Sequence, residues 1–361
     1  MDKIGIVSWY KSNFGSALQA YALSRVMNGY GYETEFINLF QGKSYALKRY
    51  IRNILFHLIY HKSAITRDNI DYFVKRNLLE SPPLYYRELS DYSKKYAAVV
   101  CGSDQIWSCV DSVDPFYFLQ FVSREKRIAY APSIGLNGVR KDLQPKFKEY
   151  VSQFPKLSVR EDKGRDIINQ LTGLTAKVVL DPTLLLTSED WLEIAGKESC
   201  QKYNLEENGY IFCYFLGDKA KYDQFTSRLQ QMTGKKVVCV SFKRTNQEDQ
   251  LVCTVEGFLA LIRNAAYVLT DSFHGTVFSI NLQKKVAVFE RFSDDDYMNQ
   301  NSRIYNLLSK IDAKNILTTV DASPREFIER VDWWDEIFDR LSKERKESFE
   351  YLESCLGKIN F

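Results

Sequence analysis

A chain of 361 residues, 45% hydrophobic and 26% charged, is long enough for two ordinary domains and apolar enough to build real cores. Its 49 basic and 46 acidic residues leave a net charge of +3, so bulk electrostatics gives no ground for a nucleic-acid partner. The seven cysteines are odd in number and contain no CxxC pair, which argues for reduced thiols rather than a disulfide framework or a zinc site.

The opening "MDKIGIVSWY" lacks the basic leader and long apolar core of a signal peptide, and no stretch approaches the roughly 20 apolar residues that span a bilayer. A cytoplasmic protein is expected. Strands are predicted at Ile4–Trp9, Glu33–Leu39, Ala97–Cys101, Arg127–Tyr130, Lys156–Val159 and Lys177–Leu180. After a charged stretch the rhythm restarts with Tyr210–Phe215, Lys236–Ser241, Tyr267–Thr270 and Lys285–Phe289. Helical patterns fill the intervals, which is the signature of an α/β fold with parallel sheets. The restart predicts two Rossmann-like domains facing a central cleft, residues 1–190 and 191–361, with the junction near Thr187–Asn208. From Ser323 onward, a capping Ser and a Pro precede apolar residues at helical spacing (Phe327, Val331, Trp334, Ile337, Phe338, Leu341). They predict one long amphipathic helix over 324–357, able to reach back across both domains.

One segment of the first half stands apart. Between Gln41 and Arg67 the chain has six Lys or Arg and no Asp or Glu, while Leu47, Ile51, Ile54, Leu55 and Leu58 recur at helical spacing. Lys43, Lys48, Arg49, Arg52 and Lys62 flank them. Such a basic amphipathic helix suits packing on its own domain, or an anionic membrane surface. His57 and His61 share a helical face there, but without a nearby carboxylate they do not make a metal site.

In open parallel sheets, ligands bind beyond the carboxyl ends of the strands, so the loops that follow strands carry the candidate site. In the first, Lys11-Ser12-Asn13-Phe14-Gly15-Ser16, a tight turn at Gly15 and exposed amides at a helix start suit an anion; Asn13, Gly15 and Ser16 equally fit a capped helix with no ligand. "VVCGSDQIWS" presents Ser103, Asp104 and Gln105 beside Trp107, for substrate contact or for capping and core. Arg160 ends a strand, where its planar fork can grip carboxylate or phosphate; the plainer reading is an ion pair with Glu161 or Asp162. "SDDDY" at 293–297 reads as a solvated acidic loop, and Asp181-Pro182-Thr183 as a turn and helix cap. The loop Asp271-Ser272-Phe273-His274-Gly275-Thr276 holds one of only three histidines in the chain. A strand-end imidazole can move protons near neutral pH, with Ser272 capping and Gly275 and Thr276 opening the helix toward a ligand.

Taken in order, "GIVSWYKSNFGSALQAYAL", "VVCGSDQIWS", "YAPSIG", "LSVREDKG", "VVLDPTLLL" and "LTDSFHGTVFSINLQKKVAVFE" resemble the polysaccharide pyruvyl transferase family across about Gly5 to Glu290. The resemblance implies a GT-B-like fold with the site between the domains. It also implies phosphoenolpyruvate as donor, a sugar of a surface-polysaccharide precursor as acceptor, and no cofactor or metal. Similar cell-wall proteins have Arg-Leu-His-Ala around the histidine, where this chain has Ser272-Phe273-His274-Gly275. The donor grip then falls to Arg160, Arg291 or Arg303. In this reading His274 carries the proton transfers and Asp104 is the base on an acceptor hydroxyl, with a lipid-linked oligosaccharide as the expected acceptor. Two other readings stay open: a glycosyltransferase on the same fold using a nucleotide-sugar, and a non-catalytic module that binds glycan precursors.

Overall fold

Strands rich in Val, Ile, Phe and Tyr, apolar on both faces, must be covered on both sides and therefore pair in parallel. The computed structural model describes residues 2–240, 250–293, 296 and 298–357, with backbone alone at 43–46, 49 and 50. Six strands form one sheet: β1 (Lys3–Val7), β2 (Glu33–Phe36), β3 (Ala98–Cys101), β4 (Arg127–Ala129), β5 (Lys156–Val159) and β6 (Lys177–Val178), in the order β2-β1-β3-β4-β5-β6. Four more form a second: β7 (Tyr210–Tyr214), β8 (Lys236–Val240), β9 (Tyr267–Thr270) and β10 (Val286–Val288), in the order β10-β9-β7-β8. All pairings are parallel, with Ile4 opposite Ala98 and Phe212 opposite Val268 fixing the central registers. Several strands end sooner than expected. The second leaves its sheet after Phe36, and Leu39 keeps only an isolated bridge to Leu84. Asp294, Asp295 and Tyr297 of the acidic segment, and residues 241–249, lie outside the described residues.

The strand orders decide where a site can lie. In the first sheet the chain goes from β1 outward to β2 and then returns to the other side at β3; in the second it does the same from β7 to β8 and back to β9. Each reversal leaves a crevice at the carboxyl ends of two neighbouring strands. The loops after β1 and β3 line one crevice, and those after β7 and β9 line the other.

A continuous apolar cluster joins the two sheets. Phe14, on the helix Phe14–Gly29 that follows β1, stacks on Phe258 of the helix Val255–Asn264 (ring centroids 4.7 Å apart, 16° between planes). Trp191 adds a bridge between Tyr21 and Phe278, at 6.3 and 4.9 Å. The helix expected over 324–357 is broken into Pro324–Glu329 and Trp334–Leu356. Lys285 donates to the carbonyls of Ile328 (2.8 Å) and Arg330, groups that a continuing helix would need for its own ladder. Val331, expected on the apolar face, is consequently 60% exposed. The helix Trp334–Leu356 touches both halves: Tyr351 bonds to Ala129 O and Ser348 accepts from Leu180 N, while Arg340 pairs with Asp312.

Candidate active site

The two crevices meet at Gly15 and His274. His274 is the second residue of the helix Phe273–Asn281, directly after β9, and only its edge reaches solvent. A Cβ built on Gly15 would lie 2.2 Å from His274 Nδ1, so only glycine lets the first helix approach the imidazole. Asn13 and Ser16, named with Gly15 from the sequence, close a capping box on each other (2.9 Å both ways). Their side chains are thus occupied in starting the helix.

Asp181 organises the buried polar groups. Its Oδ2 takes a 2.7 Å bond from Arg160 Nη1 and a 3.0 Å bond from Ser103 Oγ, and lies 3.7 Å from His274 Nε2. Its Oδ1 accepts from Thr183 N and Oγ1. Burial alone would raise this carboxyl, but the imidazole, the guanidinium and the Thr183 hydroxyl hold it well below the usual carboxylate range. At 3.7 Å the imidazole makes no hydrogen bond, so its link to Asp181 is electrostatic and Nε2 has no partner. Asp181 is thus the cap expected from the sequence and also the centre of the charge cluster. The second role was missed.

Arg160 is fully buried, yet its Nε and Nη2 make no hydrogen bond. Asp104 Oδ1 stands 4.0 Å from Nη2 and Glu161 Oε2 3.9 Å from Nε, too far for either to satisfy them. Glu161, considered before only as an ion-pair partner, is itself built in: Oε1 accepts from Ser133 Oγ, Ile134 N and Gly135 N, leaving Oε2 unpaired. Gln105 Nε2 is a further buried donor without a partner. Asp104, held at φ 64°, accepts from Gln105 N.

Arg160 and Arg303 converge on Phe273. Arg160 Cζ lies 4.5 Å and Arg303 Cζ 6.0 Å from its ring centroid, and the ring meets His274 edge-on. Arg291, from the loop after β10, donates to Asp271 O at 2.8 Å and leaves Nε without a hydrogen bond. Burial first, then the like charges of Arg160 and Arg291, push Arg303 down to about 9. Arg303 donates only to Gln300 among the described residues. Arg160 and Arg303 thus share one aromatic ring, and Arg291, itself 3.5 Å from Asp271 Oδ2, is close enough to repel Arg303, which has no carboxylate of its own among the described residues and would be stabilised by an anion. The structure therefore brings together His274, Asp104, Ser103, Gln105, Arg160, Arg291 and Arg303. Ser272, Gly275 and Thr276 instead build the helix start: Ser272 Oγ accepts from Gly275 N, Thr276 Oγ1 donates to Ser272 O, and a Cβ on Gly275 would meet Thr270 Oγ1 at 2.3 Å.

Residues 13–294 match the family model described as polysaccharide pyruvyl transferase. The chain belongs to that family. No curated protein matches the sequence. Among solved structures, the chain is similar to the UDP-N-acetylglucosamine 2-epimerase from Rickettsia bellii, at TM-score 0.50 and 12% identity, covering 99% of this chain and 97% of that one. It is also similar to S. aureus MnaA with UDP, at TM-score 0.50 and 11% identity, covering 100% and 98%. These likenesses, across the full length of both chains, show the GT-B-like fold.

A family of transferases in polysaccharide biosynthesis calls for a second opening, for a sugar. Beside the charge cluster lies a polar recess lined by Trp9, Lys11, Asn38, Gln41, Asp114 and Tyr117. Trp9 and Tyr117 meet edge to face at 6.0 Å. Ser8, on the recess wall, donates to Ser103 O at 3.2 Å, which ties this opening to the Asp181 cluster.

Proposed function

We propose that the cleft transfers pyruvate from phosphoenolpyruvate to a sugar of a lipid-linked surface-polysaccharide precursor, forming a cyclic ketal. One observation carries the reading: buried polar atoms of Arg160 and His274 that make no hydrogen bond converge beside Asp181. Buried donors without partners are costly, so a cluster of them is best explained by a ligand that completes them. A small donor with a carboxylate and a phosphate matches three arginines and an imidazole.

The chemistry follows from the donor. A proton delivered to the methylene carbon makes C2 electrophilic; a sugar hydroxyl attacks C2 and gives up its proton. Phosphate then leaves with the C2–O bond pair, and a second hydroxyl closes the ring as it loses its proton. His274 donates at the methylene carbon and takes a proton back from a hydroxyl. Asp181, fixed as carboxylate, stabilises the imidazolium before it donates and again once it has regained a proton, and the arginines hold the two anionic groups. Asp104 accepts the other hydroxyl proton. The recess at Trp9 and Tyr117 offers the acceptor ring an aromatic face and polar edges.

The test is incubation with phosphoenolpyruvate and galactosyl or mannosyl acceptors, read by phosphate release and by the mass of the ketal. Pyruvylated product is expected, and His274→Ala should lower the rate by roughly 10²–10⁴ while the protein stays folded. Release of a nucleoside diphosphate from a nucleotide-sugar, with no turnover of phosphoenolpyruvate, would replace this reading with glycosyl transfer. Glycan binding without turnover of either donor would leave a binding module.

A further inference from the structure

The helix Lys43–Ile59 leaves its apolar side uncovered. Leu47, Ile51, Leu55 and Leu58 form one stripe and are 60, 50, 51 and 76% exposed, with Ile54 and Ile59 beside them also exposed. Phe56, on the opposite side of the helix, is the anchoring residue. It is buried, packs on Tyr60 at 5.4 Å and lies under the Arg67 guanidinium at 4.1 Å. The next helix, His61–Asn77, then buries Ile70, Phe73 and Val74 in the main core. The first helix is therefore pinned by one face while the other, larger apolar face meets water.

Charge selects the occupant of that face. Residues 41–67 hold six Lys or Arg and no Asp or Glu. Exposed Lys48 and Arg52 border the stripe, and Arg52 and Arg67 share a recess with Leu55, Phe56, Ile59 and Tyr60. A second copy of this chain would bring the same positive charge against itself, which disfavours a self-paired contact. An anionic lipid surface offers what the face lacks: acyl chains for the stripe and phosphates for the border. The site is near as well, because Gln41 lines the recess beside Trp9, and Gly42 starts the helix.

We propose that the helix Lys43–Ile59 lies in the plane of an anionic lipid surface, with Leu47, Ile51, Leu55 and Leu58 among the acyl chains and Lys48 and Arg52 at the phosphates. Docked this way, the recess opens at the lipid boundary, where a sugar on a lipid carrier is presented. The docking rests on the exposed stripe and its charge; its purpose, delivery of the acceptor, rests on the pyruvyl-transfer reading.

Sedimentation of the full chain with vesicles tests it. The protein should pellet with phosphatidylcholine vesicles containing phosphatidylglycerol and stay in solution with phosphatidylcholine alone. Leu55→Glu with Leu58→Glu should reduce binding by at least about tenfold, with far-UV dichroism unchanged. If that pair disturbs folding, Leu47→Ser with Ile51→Ser gives the same readout. Lys48→Glu with Arg52→Glu should weaken the preference for the anionic lipid. A wild-type protein that ignores phosphatidylglycerol vesicles, a stripe variant that pellets as well as wild type, or a wild-type dimer split by the stripe variant would each overturn the proposal. Turnover with a soluble acceptor is measured separately, so vesicle binding without pyruvylation removes the donor reading and keeps the docking.

Discussion

Gly15 sits where the first helix of the chain touches the imidazole of His274, carried by the helix Phe273–Asn281. A methyl group there cannot be accommodated without moving the His274 ring or the helix. Gly15→Ala is therefore expected to cost on the order of 10² in kcat, because a displacement of about 1 Å at a reacting group has that effect. The overpacking should also cost about 1–3 kcal/mol of stability, so turnover is compared on protein shown to be folded by dichroism; normal turnover by folded Gly15→Ala would show that the ring is not held for chemistry. What the sequence revealed at this scale depended on whether a residue's role was local. His274 was visible through its scarcity and its place after a strand. Asp181 was hidden because it performs a familiar duty, capping Thr183 with one oxygen, and only the fold shows the other oxygen facing Arg160. Arg160 itself was weighed against its neighbours Glu161 and Asp162, whereas its short bond is to Asp181, supplied by the segment after β6.

Helices and strands carry the next level of prediction. The aromatic contact between the helices Phe14–Gly29 and Val255–Asn264 holds the two crevices in register, with Phe258 also packed on Tyr214 at 4.8 Å. Phe258→Ala should destabilise the protein by about 3–5 kcal/mol, the usual cost of emptying a buried aromatic position. Denaturant unfolding measures it, and a loss below about 1 kcal/mol would mean that the stack contributes little. At this level the central strands, such as Tyr210–Tyr214, were legible as short apolar runs bounded by turn residues, the pattern of a strand covered on both faces. The basic amphipathic helix was legible as a helix, but its periodicity could not say which face was buried; that depended on Phe56, a single ring on the side away from the stripe. The interruption near Arg330 was not legible. It comes from Lys285, a distant residue that binds the carbonyls a straight helix would have kept.

Across the whole molecule, the helix Trp334–Leu356 works as a strap. It buries Ile337, Leu341 and Leu352, and its polar bonds run to Tyr32, Leu180 and Leu184 on one side and to Lys310 and Asp312 on the other. Removing everything after Asp332 should lower the melting temperature and bring out dye-binding apolar surface; an unchanged melting curve would show the strap to be dispensable. Among the described residues, no helix is long and apolar enough to cross a membrane. The apolar cluster that runs unbroken from Ile4 through Phe14 and Phe258 to Val288 has one more implication. Grafting either half onto a distant relative would set unmatched side chains against each other along this shared seam. If the recess takes the acceptor as proposed, new sugar preferences are more accessible through small changes in the turns bearing Trp9 and Asp114, which line that recess, than through wholesale recombination of the two sheets.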